Sequence, residues 1–156
     1  MKFRILFLVL SVLAASCVTV EVCEEESVSE LVASFKTMEE GVAADTTVNA
    51  LSLYGIREGK NDSLLYNGLP ASGFMVPLDP QQDHSSFVMQ IDTLVDTLHV
   101  YHEHEIYLIS YDCGFASLFT LDQLDTSTGL ILKDSIISDM IDAENEENEV
   151  HIWLYL

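Results

Sequence analysis

From residue 30 onward, the apolar residues of this chain recur at every second position, not every third or fourth. Phe87, Met89 and Ile91 alternate with Ser86, Gln90 and Asp92. Val150, Ile152 and Leu154 alternate with His151, Trp153 and Tyr155. Phe115, Ser117, Phe119 and Leu121 share one face of a third run, and Phe74, Val76 and Leu78 share one face of a fourth. Successive side chains of a strand point to opposite faces, so period two with one apolar face means half-buried strands; on a helix the same residues would scatter around the circumference. Pro77 marks its run as an edge strand or a strand end. Ile106 to Tyr111 is apolar on both faces, which suits a central strand.

Turn-forming clusters separate these runs: Arg57 to Asp62, Asn67 to Gly73, Asp79 to Ser85, His102 to Glu105, Asp112 to Gly114, Asp122 to Gly129 and Asp142 to Glu149. Short strands broken by turns at this rhythm indicate a sandwich or barrel. The expected strands lie near 31–38, 48–55, 72–78, 86–92, 96–102, 106–111, 115–121, 130–138 and 149–155. The expected fold is all-β: an antiparallel β-sandwich, immunoglobulin-like or similar, over residues 28–156. Residues 24–38 fit two patterns. Val28, Leu31, Val32, Phe35 and Met38 have helical spacing, and Ser27 followed by Glu30 mimics a capping box. Leu31, Ala33 and Phe35 have strand spacing. A strand is expected, because a lone helix would need a docking face of its own.

The first sixteen residues belong to another class of segment. Lys2 and Arg4 precede an apolar run from Ile5 to Ala15, too short to span a bilayer, and Leu13-Ala14-Ala15-Ser16 leads into Cys17. This resembles a lipoprotein signal peptide with its lipobox. The resemblance implies cleavage before Cys17, acylation of Cys17, and anchorage in the outer membrane, since Val18 stands where Asp would mark inner-membrane retention. The periplasmic face and the cell surface both remain open. Residues 1–16 are then the signal peptide, 17–27 a lipid-anchored tether and 28–156 the folded domain. The 140 residues left after cleavage are enough to bury a core unaided. No other segment is long and apolar enough to cross a membrane.

The signal carries two of six basic residues, so the mature chain sets four against 26 acidic ones, a formal net charge of −22. Such a chain is repelled by phosphate backbones, which excludes nucleic acid as a partner. Cations, basic peptides and basic protein faces are the partners that electrostatics allows; a high charge also serves solubility alone. With Cys17 claimed by lipid, Cys23 and Cys113 form an even pair in an exported protein, where disulfides persist. A Cys23–Cys113 bridge would close a loop of about 90 residues and contribute about 4 kcal/mol in the chain-entropy account. The alternative is a reactive Cys113 thiol. Asp112 beside it argues against that, because a carboxylate raises a thiol pKa.

Candidate chemistry is sparse. His102 and His104 fall on one face of a strand at a spacing that can chelate zinc, with His99 on the other face, Glu103 and Glu105 nearby, and further ligands needed from elsewhere. The competing reading is a polar hairpin tip. The acidic stretches do not match a calcium loop; Asp122-Gln123-Leu124-Asp125 leading to Gly129 comes nearest. No nucleophile elbow, His-Glu-x-x-His or phosphate loop is present, so we expect no enzyme and no cofactor. Trp153 and Tyr155, with Tyr101 and Tyr107 if their strands pair, could form an aromatic face able to stack on a glycan or receive a peptide strand. The alternative is that this face is covered.

Asp followed by Ser or Thr, then Thr or an apolar residue, occurs at Asp45-Thr46, Asp62-Ser63, Asp92-Thr93, Asp96-Thr97 and Asp134-Ser135. The pattern resembles the acceptor site for O-glycosylation in the Bacteroidetes envelope, which would modify Thr46, Ser63, Thr93, Thr97 and Ser135. It is equally good turn chemistry ahead of a strand.

The lipobox at Cys17, Cys23, Ala33-Ser34-Phe35-Lys36, Val76-Pro77-Leu78-Asp79, Ile109-Ser110-Tyr111-Asp112-Cys113-Gly114 and the apolar C-terminal strand together resemble a family of small uncharacterised Bacteroidetes lipoproteins. The resemblance implies an exported, lipid-anchored β-domain and transfers no catalytic residue. The functional expectation is a non-catalytic binding or envelope-assembly module with a basic protein, peptide or glycan partner. The alternative is a zinc or calcium protein centred on His102 and His104.

Overall fold

The structure is a computed structural model that describes residues 29–57, 63–111, 113–127, 129–142 and 149–156. It is all-β, with eleven strands among the described residues: β1 (Glu30–Glu39), β2 (Val42–Asp45), β3 (Val48–Ile56), β4 (Ser63–Ala71), β5 (Gly73–Pro77), β6 (His84–Ile91), β7 (Leu94–Ser110), β8 (Gly114–Thr126), β9 (Lys133–Ile136), β10 (Met140–Ile141) and β11 (Ile152–Tyr155). They form two sheets. In the first, β11 and then β9 lie on one side of β1, while β5 and β2 share its other side. The second runs β10-β8-β7-β6-β3-β4, antiparallel throughout.

The two sheets pack as a sandwich on the residues whose period-two spacing predicted it. Leu31, Phe35, Phe74, Val76, Ile152 and Leu154 of the first sheet and Leu51, Leu53, Phe87, Met89, Leu98, Val100, Phe119 and Leu121 of the second belong to one buried cluster. The Phe35 and Phe74 rings lie 5.9 Å apart and tilted, across the β1–β5 pair. Each such side chain contributes about 1.5–3 kcal/mol relative to exposure. The ambiguous segment is strand: β1 buries alternate residues from Leu31 to Phe35.

Four expectations are corrected. The sandwich is not wholly antiparallel, because β1 pairs with β11 in parallel, Ala33 opposite Ile152 through Lys36 opposite Tyr155. A parallel pair needs a long crossover. Here almost the whole domain lies between the two strands, so the ends of the described chain close the first sheet together. Second, His102 to Glu105 is not a turn: the strands expected at 96–102 and 106–111 are one, β7, continuously paired with β8 apart from two register shifts. Third, Asn67 to Gly73 is mostly strand. β4 is the outer strand of its sheet, the position in a sheet where a proline such as Pro70 is tolerated. Gly68 takes φ 63° where the β3–β4 register shifts, and its N–H donates to Ser52 Oγ at 3.0 Å. Asn-Gly thus makes a bulge rather than a hairpin tip. Fourth, Asp122 to Thr126 prolongs β8 instead of ending it.

One two-residue connection fits its turn chemistry closely. Glu40 (φ 52°) and Gly41 (φ 84°) join β1 to β2, both in the left-handed region that a type I′ hairpin turn requires.

Candidate functional site

The polar residues that the sequence singled out gather where β6 and β7 pair. His102 is buried on the inner face of β7, in line with Leu98 and Val100 and not at a hairpin tip. Its Nε2 lies 3.0 Å from Ser85 Oγ, and its ring meets Phe119 edge-on at 5.2 Å. Ser85 Oγ also accepts the Asp79 N–H at 2.7 Å, which caps the loop after β5. Burial pushes the His102 pKa below its ordinary value, and neighbouring His104 and His84 push it the same way. Among the described residues His102 Nδ1 has no hydrogen-bond partner.

His104 shares that face and lies against the same ring at 4.8 Å, with Nε2 3.1 Å from Ser117 Oγ. The two histidines therefore stand together as expected, but each engages a serine and Phe119. Among the described residues no group of three or more His, Cys, Asp and Glu is placed to hold a metal ion. His99 occupies the opposite face, as expected, with Nδ1 2.8 Å from Ser86 Oγ. The Ser85–His102 and Ser86–His99 pairs thus join β6 to β7, and among the described residues neither imidazole is oriented by a carboxylate as in a hydrolytic triad.

Beside Ser85 opens a cleft of about 270 Å³ between the end of β3, the start of β4 and the β5–β6 loop. Ile56, Leu65, Pro77 and Phe87 supply apolar wall, and Arg57 and His84 supply polar rim. Arg57 Nε pairs with Asp79 Oδ2 at 2.8 Å. His84 Nδ1 pairs with Asp83 Oδ1 at 2.8 Å, and that bond holds the Asp83 carboxyl below its usual value.

A model of a family of unknown function, DUF6452, matches residues 50–156. The chain belongs to that family. No curated protein and no solved structure matches it. The DUF6452 match takes in nearly all of β3 and everything through β11, hence the cleft and both Ser–His pairs. It begins after β1, the strand around which the first sheet is built.

The aromatic face is corrected. In this DUF6452 domain Trp153 and Tyr155 lie on β11 in the first sheet, whereas Tyr101 and Tyr107 lie on β7 in the second, so they share no sheet surface. Tyr155 is buried, and Lys36 and Lys133 lie over the rings of Trp153 and Tyr155 at 4.7 and 5.2 Å. Tyr101 instead meets His84 at 5.8 Å.

The five Asp-Ser/Thr pairs fall in different settings. Ser63 and Thr93 are exposed, at the start of β4 and in the β6–β7 turn, while Thr46, Thr97 and Ser135 are half-buried. Asp96 is buried, and both its oxygens are engaged. Oδ1 accepts the N–H groups of Thr97 and Ser127 at 2.8 and 2.9 Å and the Ser127 hydroxyl at 3.0 Å. Oδ2 accepts those of Leu130 and Ile131 at 3.1 and 3.2 Å. Asp96 therefore anchors the loop after β8. Cys113 lies in the β7–β8 turn; Cys17, Cys23, Asp62 and Asp112 lie outside the described residues, and the expected lipidation and bridge partner with them.

Sequence reasoning missed the feature that the second sheet leaves most open. β4 is its outer strand, nine residues long, with Leu64 and Leu69 50% and 56% exposed. Its Asn-Gly and Pro read as turn signals and concealed it. The usable signal was Leu64-Leu65-Tyr66, an apolar triplet between two turn clusters.

Proposed function

We propose that this chain is a non-catalytic binding module of the bacterial envelope, anchored through acylated Cys17, that takes up an extended segment of a basic partner protein along β4. The observation that carries the reading is the β4 edge. An outer strand with exposed leucines offers unpaired backbone donors and acceptors to an added strand, and natural edges of this kind are usually covered or charged. Here no charged residue occurs from Ser63 to Ala71. Gly68 and Pro70 blunt the second half of the edge. Its first half adjoins the 270 Å³ cleft, where a side chain of the added strand would find Leu65, Phe87 and the Arg57–Asp79 pair. The charge of the mature chain favours a basic partner and repels nucleic acid.

The anchor is supported by the charged start, short apolar run and small residues before Cys17. The Cys23–Cys113 bridge is part of the same reading. It is supported by the even pair of cysteines that remains once lipid claims Cys17. Labelled palmitate should enter the wild-type protein and not Cys17→Ser; label retained in that variant overturns the anchor.

The binding surface is tested by cross-linked capture from native envelopes with the full-length protein. Wild type should capture a recurrent partner, and Leu64→Lys and Leu69→Lys should lose it without loss of folding. Capture should also weaken as salt rises. Capture indifferent to both edge substitutions refutes the edge, and capture indifferent to salt refutes the basic partner. Stoichiometric zinc or calcium in purified protein, lost on His102→Ala, would favour the metal reading instead.

A further inference from the structure

We propose that the tip of the β7–β8 hairpin rests in the bilayer interface beside the lipid anchor, so that the domain is held to the membrane at two points. The inference rests on the reading that Cys17 carries a lipid. Beyond His104 and Phe119 this hairpin presents a row of apolar side chains to solvent. Ile106, Leu108 and Phe115 are 67%, 45% and 67% exposed, and Tyr111 at the turn is 98% exposed. Leu108 pairs directly with Phe115, and Ile106 with Ser117, so the three apolar residues share one face of the ribbon.

The setting of this patch points to lipid. From Ile106 to Leu121 the only charged residue is Asp112, in a chain with 26 acidic residues. The hairpin is thus one of the long stretches of the chain that an anionic surface repels least. Tyr and Phe at a ribbon tip suit the interfacial zone, where an aromatic ring can lie between head groups and acyl chains.

The fold also brings the anchor to this place. Ser29, where the described chain begins, donates its hydroxyl to the carbonyl of Ser117, at the base of the hairpin. The tether therefore joins the domain beside the ribbon, and eleven residues separate Cys17 from Ser29, a reach of about 40 Å at most. Bonding of Cys23 to Cys113 shortens this, since Cys17 then lies within roughly 20 Å of the tip. In contrast, β1 runs away from the hairpin for ten residues, about 33 Å, to the turn before Val42.

The test uses the full lipidated protein in vesicles of phosphatidylethanolamine and phosphatidylglycerol, with or without bromine on the acyl chains. Trp153→Phe removes the native fluorophore, and Phe115→Trp or Val42→Trp places a new one at the tip or at the far end. Bromolipid should quench the Phe115→Trp signal about twofold and leave Val42→Trp unchanged, as expected for a residue in the interface. Cosedimentation of the same samples separates the two ideas. Protein that fails to cosediment refutes the anchor and the inference together. Protein that cosediments with Phe115→Trp no more quenched than Val42→Trp refutes the inference and leaves the anchor standing.

Discussion

Removing the Asp96 carboxylate should be among the most damaging single changes in this domain. Among the described residues its oxygens accept four backbone N–H groups and one hydroxyl. Two of those donors have a second acceptor: the Thr97 N–H also reaches Ser127 Oγ at 3.1 Å, and the Ser127 N–H reaches Thr97 O at 3.2 Å. No other bond is seen for the amides of Leu130 and Ile131, and Ile131 is itself buried. Each unsatisfied buried amide costs about 1–3 kcal/mol, so Asp96→Ala should cost about 4 kcal/mol. Asp96→Asn keeps the shape but sets an NH₂ against donors whichever way the amide is turned; it should cost about 2 kcal/mol. Urea unfolding is the assay. With a slope of about 2 kcal/mol per molar, Asp96→Ala should lower the midpoint by about 2 M and Asp96→Asn by about 1 M. Thr93→Ala, in the exposed turn before β7, is the control and should move it by less than about 0.5 kcal/mol. A midpoint for Asp96→Ala equal to that of Thr93→Ala would refute the anchoring role. One for Asp96→Asn equal to wild type would refute the need for two acceptor oxygens.

Gly73→Ala should destabilise by about 2 kcal/mol or more in the same assay, because a Cβ there would be driven into the carbonyl oxygen of Ala33 across the β1–β5 pair. Gly41→Ala should cost about 1 kcal/mol through its φ of 84° alone, since open space surrounds the position, whereas Glu40→Asn, with a residue better suited to a type I′ turn, should be neutral or slightly stabilising. Stability should fall between pH 7.5 and 5.5. Burial depresses the pKa of His102 and also of His151, the latter despite the pull of Glu149 and Asp142. The unfolded chain takes up protons below the ordinary histidine value of about 6.5 while the native one resists, so the stability is full above that pH and is lost as pH falls toward the depressed native values. His151 Nδ1 accepts the Val32 N–H at 3.0 Å, so protonation also breaks a bond between the first and last strands; urea midpoints in His151→Gln should vary less with pH than in wild type.

The strand class was legible because alternation is a local property. Leu31, Ala33 and Phe35 already specify which face of β1 is buried, whatever that face meets. The common face of His102 and His104 follows from the same parity. Other features escaped because local chemistry has more than one use. Asn67-Gly68 supplies positive φ equally well to a hairpin tip and to a bulge, and only the neighbouring strand β3 decides between them. His102 to Glu105 is polar enough for a turn, yet pairing with β8 carries the strand straight through it.

By itself, then, the sequence determines an all-β domain, the inward faces of its strands and its strong negative charge. Each of these depends on residue type and spacing of two. Tertiary structure alone decides that β1 and β11 lie side by side, and that Trp153 and Tyr101 fall in different sheets. It alone makes Asp96 the anchor of a distant loop, and leaves β4 open at its outer edge. Those outcomes depend on contacts between residues as many as 119 positions apart, such as Val32 with His151, and no local pattern encodes which partner such a residue will meet.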